Sequence, residues 1–144
     1  MDDYQLQALV EKLSIEKIGI KFCHRATFNH RLQTTAGRYL LHTHHIEINP
    51  LVWEKYGQEE LEKVILHELC HYHLHLQKKG YRHRDLAFKT LLKQVGGAKY
   101  ARPLKEATHL YQCVNCQAQY PRYRRINLQR YRCSSCRGPL QEIK

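Results

Sequence analysis

The segment GQEELEKVILHELCHYHLHLQKKG, residues 57–80, limits the possible folds more than any other part of this chain. Leu61, Val64, Ile65 and Leu69 recur at helical spacing and supply a core stripe. Glu59, Glu60 and Glu62 crowd the start, while Lys78, Lys79 and Gly80 close the end, the charge order that suits a helix dipole. Inside the predicted helix lies His67-Glu68-Leu69-Cys70-His71, an HExxH. Imidazoles at i and i+4 rise from one face and can grip a single ion. Glu68 follows His67 directly, so its carboxylate is placed beside such an ion, where it can take a proton from bound water.

The third ligand needs more argument. His75 shares the face of His67 and His71 but lies about 12 Å along the axis from His67 at 1.5 Å per residue. One ion about 2 Å from each nitrogen does not bridge that span. His73 points to another side. The extended HExxHxxGxxH pattern requires glycine at Leu74 and histidine at Gln77, and the next glutamate after the helix is Glu106, in a loop. That leaves His83 and Asp85, just past the turn at Gly80. Imidazole is the commoner zinc partner, which favours His83; Asp85 is the alternative, or else orients a ligand or caps the next helix. His24, His30, His42, His44, His45, His73 and His75 are expected at the surface or as supporting groups. Three imidazoles with one open position predict a catalytic zinc, with Glu68 as general base and peptide hydrolysis as the reaction.

A second metal signal lies near the other end. Cys113-x2-Cys116 and Cys133-x2-Cys136 are separated by sixteen residues. Each pair can turn two thiolates onto one ion, and four sulfurs give zinc a closed shell with no place for substrate. The segment from Tyr111 onward is too short for a hydrophobic core of its own, so this zinc is expected to be structural, its binding energy serving as folding energy. The same segment carries Arg122, Arg124, Arg125, Arg130, Arg132, Arg137 and Lys144 against one acid, Glu142. Tyr111, Tyr120, Tyr123 and Tyr131 are interleaved with these cations. That mixture suits phosphate pairing and base stacking, with packing of the tyrosines as the plainer reading. Arg122, Tyr123, Arg124, Arg125, Arg130 and Arg132 are the expected nucleic-acid contacts.

Elsewhere, Leu6, Leu9, Val10 and Leu13 place a helix over 4–13. IKFCHRATFNHRL and GRYLLHTHHIEINP look extended, with Ile46 and Ile48 alternating with polar residues and Gly37 marking a turn. A small, mostly antiparallel sheet of three strands follows from this. A further helix runs over about 84–95, ended by Gly96-Gly97, and residues 98–109 read as a linker. The class is therefore α+β: a metal-binding domain over 1–97 and a four-cysteine zinc ribbon over 110–144. Cys23 and Cys70 are expected to be buried as small apolar groups.

Across 144 residues, 24 Lys+Arg stand against 13 Asp+Glu, a net charge of +11 that points to an anionic partner. A hydrophobic fraction of 42% argues against disorder. No apolar run is long enough for a membrane span, and MDDYQLQALVEKL has neither a basic start nor an apolar stretch of the signal-peptide kind. A cytoplasmic protein with reduced cysteines is the expectation.

HELCHYHL, GYRHRDLAFKTLLKQVG and the four-cysteine ribbon together resemble SprT-like proteins, bacterial relatives of the Spartan proteases that act on DNA-crosslinked proteins. AGRYLLHTHHIEINPLVW is similar to the strand pair that precedes the helix in that family. The resemblance covers about Tyr4 to Ile143. Phe88 stands five residues after His83, where Spartan-type sequences usually leave four. The resemblance implies a zincin-like metallopeptidase domain, zinc on His67, His71 and a third histidine matching His83, Glu68 as the catalytic carboxylate, and a cytoplasmic location. The expected substrate is protein bound to DNA, with RNA as the other possible nucleic acid. The competing expectation is a zinc-containing nucleic-acid-binding or regulatory protein without turnover. A hydrolase of non-peptide amides is a third.

Overall fold

Asp2 begins the first helix, α1 (Asp3–Leu13), through a reciprocal capping box with Gln5. The helix buries Leu6, Val10 and Leu13, and a single π-helical turn over Ser14–Ile18 leads to Gly19, whose φ of 86° ends it. This is a computed structural model that describes all 144 residues, as two compact units, Met1–Leu104 and Lys105–Lys144.

In the first unit three short strands follow: β1 (Ala26–Phe28), β2 (Gly37–Tyr39) and β3 (Ile46–Ile48). Their order is β1-β3-β2, with β1 parallel and β2 antiparallel to β3. The expected mostly antiparallel sheet is thus a mixed one. The chain reverses after β1 and again after β2, and β3 inserts between them, which leaves β1 and β3 running the same way. Gly37 does not mark a turn. It lies in β2, where a Cβ would stand 3.0 Å from Ile48 Cδ1 and 3.1 Å from Val64 Cγ1. The glycine lets the sheet settle onto the following helix.

That helix, α2 (Pro50–Leu76), starts seven residues earlier than its sequence pattern suggests. Asn49 caps it, accepting from Leu51 N–H while its amide donates to the carbonyls of Leu32, Gln33 and Thr35. Gly57, at φ 80° and ψ −167°, breaks α2 into two helical stretches, and the second carries the HExxH. Helix α3 (Leu86–Val95) packs on α2 and ends at Gly96.

Residues 98–104, expected as linker, are tied to this unit. Ala98 N–H donates to Lys63 O, the Tyr56 hydroxyl donates to Pro103 O, and Leu104 is buried in the core. Two further expectations change. Cys23 is exposed, because neighbouring Phe22 takes the buried position. His73 is 3% exposed rather than superficial, because the π-helical turn covers that side of α2. Cys70 is buried. No helix is long and apolar enough to cross a membrane.

The second unit is a three-stranded antiparallel sheet, ordered β5-β4-β6, from β4 (His109–Cys113), β5 (Gln119–Arg122) and β6 (Leu140–Glu142). Its buried apolar residues are Tyr111 and the cluster of Cys113, Cys133 and Leu140, with Ala118, Tyr120 and Ile126 packed against that cluster. That is too little apolar surface to hold forty residues without another tie.

Candidate functional site

His67 and His71 sit one turn apart on α2, and the chain returns after Gly80 to bring His83 against them. The return is tight: a Cβ at Gly80 would lie 2.7 Å from Asp85 Cβ. Asp85 Oδ2 accepts the Arg82 N–H at 3.0 Å, which fixes the loop carrying His83. The three Nε2 atoms form a triangle with sides of 2.9, 3.0 and 3.2 Å. Donors about 2.0–2.1 Å from one tetrahedral ion lie about 3.3 Å from each other, so the triangle suits zinc with one position left for water or substrate. Asp85 is outside this group, which comprises His67, His71 and His83.

The other ring nitrogens explain the aim of these side chains. His67 Nδ1–H donates to Ala98 O at 2.6 Å, and His71 Nδ1–H donates to Tyr81 O. With Nδ1 protonated, each Nε2 keeps its lone pair for a metal. The approach of Ala98 depends on Gly97, where a Cβ would meet Leu92 Cδ1 at 2.6 Å and His67 N at 3.2 Å. Phe88 supports the cluster from α3, stacking on His71 with ring centres 4.3 Å apart. Burial lowers the pKa of His67 and takes His71 down to about 4, so both are neutral ligands at neutral pH.

Glu68 is buried beside the triangle, and burial pushes its carboxyl up to about 8. A dication in the triangle favours the charged form and pulls that value back down. All four residues line an open groove of about 1520 Å³. Pockets for small molecules usually run to about 300–1,000 Å³, so this open groove is larger than such a site requires. Strand β2 forms part of its wall and is an edge strand. Asn49 N–H donates to Ala36 O and Leu40 N–H to His45 O, so residues 36 and 40 face β3. The alternation of an antiparallel pair turns the amides and carbonyls of Gly37 and Tyr39 the other way.

In the second unit Cys113, Cys116, Cys133 and Cys136 converge. Sγ–Sγ distances of 3.4 and 3.5 Å are far beyond a disulfide and close to those of sulfurs sharing a tetrahedral ion. Both knuckles repeat one geometry. Gln117 N–H donates to Cys113 O and Arg137 N–H to Cys133 O, with φ of 64° and 58° at those two residues. The Tyr120 hydroxyl, 3.0 Å from Cys133 Sγ, holds that thiol down to about 6, favouring the thiolate that a metal needs. Arg122, Tyr123, Arg124, Arg125, Arg130 and Arg132 are all exposed. The tyrosines divide in two: Tyr111 is buried and accepts the Ile126 N–H, and Tyr120 serves the knuckle, while Tyr123 and Tyr131 are 41% and 49% exposed.

Sequence reasoning missed the carbonyls of Tyr81 and Ala98, since a backbone group bears no residue signature; Gly96-Gly97 was the one visible hint. It also missed a polar cluster at the far end of α2. There the Tyr39 hydroxyl bridges His44 Nδ1 and His75 Nδ1 at 2.7 and 2.6 Å, and the Tyr72 hydroxyl meets His24 Nδ1 at 2.6 Å.

A family model described as the SprT-like family matches residues 6–121, and one described as the SprT-like zinc ribbon domain matches residues 107–144. A protein named Protein SprT-like from Enterococcus faecalis is 57% identical over 144 residues, covering 97% of this chain and 94% of its own length. Proteins of the same name from Geobacillus kaustophilus and Anoxybacillus flavithermus are 53% and 49% identical, over 98% and 100% of this chain and 99% and 98% of theirs. No solved structure matches.

Proposed function

The chain belongs to the SprT-like family, and on that premise we propose that it is a zinc-dependent metallopeptidase, zincin-like in its first unit, acting on proteins held on DNA. The observation that carries this reading is the convergence of three Nε2 atoms beside the buried Glu68 carboxylate, in a groove walled by an open strand edge. His67, His71 and His83 would hold the ion. When bound, zinc supplies a Lewis acid that acidifies water and polarises a peptide carbonyl. Glu68 takes the proton from the attacking water and delivers it to the leaving amine. Gly37 and Tyr39 offer main-chain partners to a substrate lying extended along β2, which fixes the scissile bond without demanding one sequence. The four cysteines would hold a second, structural zinc. The exposed arginines and tyrosines of that unit bind DNA, or RNA by the same chemistry, through phosphate and base faces. Reduced thiol ligands suit a cytoplasmic location.

The test is cleavage of a DNA-binding protein by the zinc-loaded chain, with and without DNA. Cleavage that needs DNA and falls at least 100-fold in Glu68→Gln, with zinc retained, is the expected result. No cleavage under any DNA condition with both metal sites filled overturns it and leaves a nucleic-acid-binding protein without turnover.

A further inference from the structure

The groove beside the histidine triangle has an unequal charge. Arg38, Lys63, Lys89, Lys93, Lys99 and Arg102 line it, whereas its two acids, Glu60 and Glu68, are both buried. Arg38 is paired with Glu47, and Lys63 lies 3.8 Å from Glu59. No carboxylate lies within ion-pair distance of the other four. Lys89 and Lys93 stand one turn apart on α3, Lys99 and Arg102 lie in the segment after it, and all four line the groove from the flank that residues 86–102 contribute. Both α3 and β2 pack on α2, and the edge of β2 lines the same groove from a different part of the chain. Tyr100, in the same flank, is 79% exposed with the Lys99 ammonium 5.5 Å from its ring centre. The Arg102 guanidinium lies 4.3 Å from the Tyr56 ring centre.

We propose that this flank, Lys89, Lys93, Lys99, Tyr100 and Arg102, binds a single strand of nucleic acid within the catalytic groove itself. Cations without a carboxylate partner along a groove wall suit phosphates, and they would equally attract an acidic peptide. The exposed tyrosine decides between the two. A solvated aromatic face among cations stacks the bases that a strand brings, a contact that carboxylates do not make. A strand seated here would lie beside a polypeptide on β2, so that bonds near the point of attachment to nucleic acid reach the histidines. The proposal rests on the reading above only in placing a protein substrate in the same groove.

The experiment is a titration of the zinc-loaded Glu68→Gln full chain with a labelled single-stranded oligothymidylate at several salt concentrations. Replacing Lys89, Lys93 and Lys99 together by Gln is expected to weaken binding and to reduce the slope of log K against log salt by about 2, at about 0.7 per phosphate contact. Replacing the same three by Arg restores the slope, which separates charge from folding. Tyr100→Leu weakens binding roughly ten-fold with the slope unchanged. Unchanged affinity and slope in the Gln variant, with both zinc ions retained, overturns the proposal. So does intact oligonucleotide binding combined with a selective loss of cleavage of acidic over neutral peptides by the same lysine variant in the Glu68-containing chain. Because binding is read without turnover, failure of the peptidase reading leaves this result independent.

Discussion

His83 is the residue on which a metal count turns. Its Nε2 closes the triangle from an exposed loop, while His67 and His71 are anchored on the helix by carbonyls. Replacing His83 by Ala is expected to lower bound zinc from two ions per chain to one, measured by elemental analysis after dialysis. Among the other histidines, His73 carries the clearest dependence on pH. The Ser14 hydroxyl donates to Ile20 O and so accepts from His73 Nε2–H at 2.6 Å, and burial lowers the His73 pKa to about 4 from 6.5. Between these values the unfolded chain holds the proton and the folded chain does not, so stability is lost as pH falls through this window, by roughly 3 kcal/mol. In chelator-treated protein, the difference in unfolding free energy between wild type and His73→Leu is expected to narrow from pH 7 to pH 4, followed by the fluorescence of Trp53. A constant difference would mean that His73 does not titrate there. The two histidines differ in how far the sequence revealed them. A ligand at 83 follows from helix geometry and elimination, with Asp85 left open, because both depend on a turn whose path the sequence does not give. Burial of His73 depends on the π-helical turn, for which no sequence pattern was read.

At the scale of the elements, α2 was legible where its apolar stripe and end charges agree, from 57 onward. Its first seven residues were not, because Gly57 reads as a boundary although the helical path resumes after it. The φ and ψ of that glycine belong to a region that residues with a Cβ rarely enter. Gly57→Ala is expected to cost roughly 1–3 kcal/mol in urea unfolding, although no atom stands within 4 Å of the added methyl. An unchanged midpoint would show that the two helical stretches can realign at no cost. The sheet was legible as three strands but not in its order. Alternation in Ile46–Ile48 identifies a half-buried strand, yet nothing local to three-residue strands says which neighbour inserts between the other two.

For the whole molecule, the two units differ in what holds them together. The first has a core of about twenty buried apolar residues, whereas the second has four. Chelation of zinc is therefore expected to abolish the β4–β6 amide signals of the second unit while the Trp53-reported transition of the first persists. Loss of both together would mean that the histidine site carries folding energy as well. The order of residues in the first unit has its own consequence. His67 and His71 are translated before the carbonyls of Tyr81 and Ala98 that set their rings, and before His83. A nascent chain ending short of residue 98 holds the HExxH without the carbonyl that orients His67. On the peptidase reading proposed above, synthesis from N to C terminus thus delays any self-inflicted cut, or attack on the ribosome's other products, until the first unit is nearly complete.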